Sequence, residues 1–292
     1  GAVANGAIVP LDGHGRVCLF TKTEAQFVLD VNGYVPGSAP AIGIEPARYL
    51  DTRAADGNPT FDGQSQATGR VAAQSSVRVQ IAGRGGVPAE AVAAIVNVTV
   101  VDPSAAGFLT VYPCTDTVPR TSTVNYVAGE TVPNGAVADL AGDGSLCVFS
   151  RAEADVIVDV TGYLPGDAAS VRTAVPVRMF DSRAGEPIVD GVSTGARLGA
   201  GDVVEIQVAG RAGVPGDARA GFFNVTAVGP DGPGYVTVFP CGSDRPVASN
   251  VNLTSGAVRA NNTVTGLSAT GTVCAYTHTA TDVVVDLTGW IE

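Results

Sequence analysis

The sequence predicts an all-β protein: tandem β-sandwich or barrel-like repeats of about eight strands each, with a partial repeat at the N-terminal end. Three observations carry that prediction. The chain repeats itself: 97-NVTVVDPSAAGFLTVYPC-114 returns as 224-NVTAVGPDGPGYVTVFPC-241, 127 residues later. Its apolar residues alternate with polar ones at a period of two, as a half-buried strand requires. Gly- and Pro-rich turn signals fall at short, even intervals, and no segment carries a convincing helical stripe.

The first element, residues 1–36, reads as the C-terminal half of a truncated repeat. Its 28-VLDVNGYVPG-37 matches 157-IVDVTGYLPG-166, and Asn5 and Cys18 match Asn134 and Cys147 at an offset of 129. Three strands are expected there, over 7–11, 16–21 and 26–35. Three strands alone bury no face, so they must pack on the next repeat or take strands from another subunit. A homo-oligomer or filament assembled through this incomplete repeat is therefore the expected partner arrangement. The first full repeat spans 45–164. It opens on 46-PARYLDTRA-54, continues through 79-VQIAGRGGVP-88, and alternates Val96, Val98 and Val100 with Asn97, Thr99 and Val101. In 108–114 one face carries Phe108, Thr110, Tyr112 and Cys114, and the other Leu109 and Val111. Asn134-Gly135 and Asp143-Gly144 are turn signals. Residues 89–96 could start a helix, yet Gly221 interrupts the same segment in the second copy, so at most a turn is expected. The second full repeat spans 176–292 and restates these landmarks from 176-PVRMFDSRA-184 onward.

Five cysteines follow the repeat. Cys114 and Cys147, and Cys241 and Cys274, are each 33 residues apart in equivalent places. One inter-strand disulfide per repeat is the simplest account, and it places the chain in an oxidising compartment, extracellular or at the cell surface. Zinc would need further ligands, and no His, Cys or carboxylate cluster accompanies the pairs, so no metal is assigned. Cys18 has no partner at the same spacing and is expected as a free thiol or an intermolecular crosslink.

Carboxylates recur too. Asp51 with Arg53, and Asp181 with Arg183, sit in the two copies of one motif, and Asp30, Asp159 and Asp286 occupy one place in three copies of another. Paired acids can serve acid–base chemistry or calcium. Repetition in every copy, on strands alternating with core Val and Leu, points instead to structural ion pairs with an Arg of the LDTR/FDSR strand. His14 and His278 fall where other copies carry Asp143, or Lys22 and Arg151, which marks solvated turns. The string 191-GVSTG-195 matches a nucleophile elbow in letters only, with no helix and no histidine to serve it. Asn97, Asn224, Asn252 and Asn261 begin glycosylation sequons, though two lie inside the repeated strand. Residues 56–63 could wrap calcium, but not with EF-hand spacing.

Composition narrows the classes further. Hydrophobic residues make up 45% and charged residues 15%, too apolar for a disordered chain. Glycine (37) and proline (18) follow no collagen period. No apolar run reaches the roughly 18–20 residues of a spanning helix, so no membrane insertion is expected. A net charge of −11 argues against a nucleic-acid partner. Nothing calls for a cofactor.

Taken together, P-x-R-x-[LF]-D-[TS]-R, G-V-P, N-V-T, G-[FY]-x-T-V-[YF]-P-C, N-G or N-N, and V-x-D-[VL]-T-G resemble a tandem repeat of secreted and surface proteins of high-GC actinobacteria. The resemblance covers essentially the whole chain and implies no catalytic residues. The expected function is an extracellular structural or adhesive repeat protein, not an enzyme. A glycan- or cell-wall-binding accessory module of a secreted enzyme, with loops 55–70 and 184–200 setting specificity, is the alternative.

Overall fold

The computed structural model describes residues 5–6, 11–21, 23–29, 31, 41–54, 59–115, 117–166, 171–193 and 195–292. Among them all regular structure is strand, and every ladder between strands is antiparallel.

The first module contains β1 (Ile42–Asp51), β2 (Ser75–Gln80), β3 (Ala91–Val101), β4 (Gly107–Pro113), β5 (Val124–Tyr126), β6 (Val132–Asp139), β7 (Ser145–Ser150) and β8 (Asp155–Pro165). One sheet runs in the order β1-β8-β3-β6 and the other β2-β7-β4-β5. The second module repeats the plan with β9 (Val171–Asp181), β12 (Val203–Gln207), β13 (Ala220–Val228), β14 (Gly234–Pro240), β15 (Val251–Leu253), β16 (Val258–Gly266), β17 (Thr272–Thr277) and β18 (Asp282–Ile291). Its sheets run β9-β18-β13-β16 and β12-β17-β14-β15, each strand in the place its counterpart holds in the first module. A small hairpin, β10 (Pro187–Ile188) with β11 (Gly191–Val192), lies in the variable loop of the second module.

The alternation read from the sequence builds each core. Val96, Val98 and Val100 point inward and are buried, while Asn97, Thr99 and Val101 are half-buried on the other face. They meet Leu109, Val111 and Val148 of the facing sheet. Phe223, Val225, Val236 and Val285 do the same in the second module. Each such side chain stabilises by about 1.5–3 kcal/mol through the apolar area it withdraws from water. The glycine of V-x-D-[VL]-T-G has a packing reason. A Cβ on Gly162 would stand 2.7 Å from the Ile42 carbonyl oxygen, because β1 crosses β8 there at close range through a register shift. Gly289 is crowded in the same way by Arg172 of β9.

Two expectations need correction. In the N-terminal partial repeat, the described residues 11–21 and 23–29 form no strand where strands are expected over 16–21 and 26–35; residues 7–10, 30 and 32–35 of the expected strands lie outside the described residues. Its apolar groups lie in solvent: Phe20 is 91% and Val28 89% exposed, whereas Val158, the counterpart of Leu29, is fully buried. Without the strands that cover the same residues in the other copies, the ladder has nothing to pair with. Asn134-Gly135 is not a turn either. It lies inside β6, at the edge of its sheet, and the glycine is there for a close approach described below.

Candidate functional site

Each module carries a chain of ion pairs at the end of its first strand. Arg48 is the hub in the first: its Nε donates to Asp159 Oδ1 at 2.9 Å and its Nη1 to Asp51 Oδ2 at 3.1 Å. Arg53 closes on the same Asp51 with Nε at 2.9 Å and Nη2 at 2.6 Å. The second module repeats it: Arg178 donates to Asp286 at 3.0 Å and Asp181 at 3.2 Å, and Arg183 to Asp181 at 2.9 and 2.7 Å. Burial pulls the Asp51 carboxyl upward, but the hydrogen bonds and charge of Arg53 and Arg48 hold it below the ordinary carboxylate range. At Asp286 burial wins, and its carboxyl stays raised despite Arg178. The motif contained both hubs, yet Arg48 and Arg178 were not singled out from sequence. Their signal was the first Arg of P-x-R-x-[LF]-D-[TS]-R. Asp30 lies outside the described residues.

Disulfides join Cys114 to Cys147 and Cys241 to Cys274. Each ties the end of β4 or β14 to the neighbouring strand β7 or β17, beside the ring pairs Phe108–Phe149 and Tyr235–Tyr276. Cys18 is an exposed free thiol. Ser193 is buried and donates to the Asp181 carbonyl while accepting from Gly195 N, so it ties a loop together. His14 is exposed, and exposed His278 stacks on Tyr235 with centroids 5.1 Å apart. Asp62 of the 56–63 loop holds Arg84 at 2.7 and 3.0 Å beneath the Tyr49 and Phe61 rings; residues 55–58 lie outside the described residues. Among the described residues no three metal-ligating side chains gather.

The strongest convergence of repeated residues is the joint between modules. Asn134 of β6 donates to Asn224 Oδ1 of β13 at 2.9 Å and to the Thr123 carbonyl at 2.6 Å, and Asn224 donates to the Ser122 carbonyl. Buried Phe222, Ile95, Val137 and Leu164 pack beside them. Arg259 pairs with Glu130 at 2.7 Å, and Thr173 donates to Asp139 at 2.8 Å. Burial raises the Asp139 carboxyl, with Thr173 drawing it partly back.

The asparagines also form a closed triangle. Gly135 N donates to Asn5 Oδ1 at 2.9 Å, Asn262 N to Asn134 Oδ1 at 3.1 Å, and Gly6 N to Asn261 Oδ1 at 2.9 Å. Asn5, Asn134 and Asn261 hold one place in three copies. Each copy therefore gives one bond to a neighbour and takes one from the other, around a pseudo-threefold axis. Gly135 has no side chain because the Gly6 carbonyl occupies that space. Sequence reasoning missed the joint.

No family model and no curated protein matches this chain. Among solved structures, a chain from the atomic structure of Sulfolobus turreted icosahedral virus aligns with 86% of this chain and 90% of its own at 9% identity and a TM-score of 0.26, too loose a superposition to bear on either fold or function.

Proposed function

We propose that this chain is an extracellular structural or adhesive repeat protein, like the actinobacterial surface repeats its motifs resemble, and that it performs no reaction. The carrying observation is where the repeated polar side chains are used. The cysteines close disulfides, the Arg–Asp chains lock the first strand of each module, and the asparagines join one copy to the next. A scaffold needs these ties duplicated; a reaction centre does not. Disulfides of this kind persist outside the cytosol. Antibody labelling of intact source cells, beside cell fractionation, tests the reading. Surface or secreted protein with both disulfides oxidised is expected, and a cytosolic, reduced pool overturns it.

One patch favours glycan binding as a second reading. On the outer face of β14 and β17, Tyr235 and Tyr276 lie with ring centroids 5.9 Å apart, Arg245 sits 4.0 Å over Tyr276, and His278 stacks alongside. Such a platform suits a sugar ring with polar groups at its rim. A glycan array with the whole chain, repeated with Tyr276→Ala, separates the readings. Retention that the substitution abolishes supports the second.

A further inference from the structure

The face of the second module that meets the first is present on the first module too, and there it is open. Pro176, Asn224, Asp286 and Thr288 line the joint, where only about 10 Å³ remains unfilled. Their repeat counterparts Pro46, Asn97, Asp159 and Thr161 line an open depression of about 540 Å³. The exposure follows: the Asp286 side chain is 1% exposed and that of Asp159 27%. Asn224 reaches the Ser122 carbonyl of a neighbouring module, whereas Asn97, among the described residues, bonds Thr99 within its own module and the side chain of Asn5.

We propose that this open face is the docking surface for one further sandwich module of the same repeat, the copy to which Asn5 and Cys18 belong, completed by a first half resembling residues 41–129. The joint already built shows what such a face accepts: a backbone carbonyl in the place of Ser122 and an asparagine amide in the place of Asn134. Asn5 already makes the second contact, donating to Asn97 Oδ1 at 3.1 Å as Asn134 does to Asn224. The triangle sets the position, since its third corner is Asn5-Gly6. Phe20 and Val28 are exposed, whereas their counterparts Phe149 and Ile157 are half-buried and buried in a complete module. A second copy of the chain does not fit the seat. Its first module has the required Asn134 face already covered by its own second module, and its second module, entering by the Asn261 face, would carry its companion into the place the second module holds here. The proposal rests on the scaffold reading for its setting alone.

The test is the whole chain extended at its N-terminus by a duplicate of residues 41–129, compared with the chain itself. Alkylation under native, non-reducing conditions reads the completion of the module. Cys18 labels in the chain, and in the extended protein it is protected by a disulfide to the duplicated Cys114. Hydroxyl-radical footprinting reads docking: oxidation of Pro46 and Arg48 is expected to fall several-fold. Thr161→Arg in the extended protein, which puts a guanidinium into the seat, should restore that oxidation and leave Cys18 protected. Unchanged labelling of Cys18, unchanged oxidation of Pro46, or oxidation indifferent to Thr161→Arg each overturns the proposal. None of these results moves the protein into or out of the cell, so the scaffold reading stands or falls separately.

Discussion

At the level of single residues, the two Arg–Asp chains are chemically alike and differently shielded, and shielding sets what each contributes. Removing one partner of a buried pair leaves an uncompensated charge and costs about 3–5 kcal/mol, whereas a pair open to water contributes about 0–1 kcal/mol. Asp286→Ala should therefore destabilise the second module strongly and Asp159→Ala the first only mildly. Trp290, the one tryptophan, sits in β18 and packs against the second core, so its fluorescence follows that module alone. Urea titration should show the Trp290 transition displaced by Asp286→Ala and untouched by Asp159→Ala; equal displacement would contradict the shielding argument. Asp51, Arg53, Asp181 and Arg183 were legible in the sequence because they recur as neighbours two positions apart. The hubs Arg48 and Arg178 were not, since the partners that make them hubs, Asp159 and Asp286, lie more than 100 residues away and are brought to them by strand pairing.

For the elements, period-two patterning made the sandwich legible, because β-branched residues on alternate positions reveal which face is inside. It failed at β6. Asn-Gly usually marks a hairpin, and the same dipeptide serves an edge strand wherever another copy's carbonyl needs the space of a side chain. The glycine of β8 makes a sharper test. Gly162→Ala pushes a methyl group at the Ile42 carbonyl and should destabilise the first module by about 1–3 kcal/mol, as overpacking does, leaving the Trp290 transition in place. The disulfides tie neighbouring strands at the sheet ends. Replacing Cys114 and Cys147 together by Ala should lower stability by about 3–4 kcal/mol if the closed loop of 33 residues acts through the unfolded chain. Thermal melts of the double variant check it; an unchanged midpoint would mean the strands hold without the bridge.

For the molecule as a whole, the joint adds to the stability of both modules, which unfold in separate transitions. Asn224→Ala removes the amide that meets Ser122 and Asn134 and should lower the Trp290 transition by about 1–3 kcal/mol; an unmoved transition would mean the joint adds nothing. Acidity acts on the same interface. Asp139 and Asp286 are raised by burial, so the folded state favours their neutral forms, and stability should climb as pH falls from 7 through their raised values. Asp51 and Asp62 are held low by arginines, so their contribution is present above the unfolded value of about 3.9 and is lost as pH falls through their lowered values. Urea midpoints against pH should rise and then drop below about pH 4, with Asp139→Asn flattening the rise; a monotonic fall from pH 7 would contradict it. The repeat was visible in the sequence, but its joint was not, because Asn, Ser and Thr at a module boundary look like ordinary surface. The asparagine triangle has one more consequence. A loop in which each member hands on a single proton donor and receives a single one has no loose end to recruit a fourth. Longer polypeptides made of this unit should therefore count in threes, as strings of closed triplets.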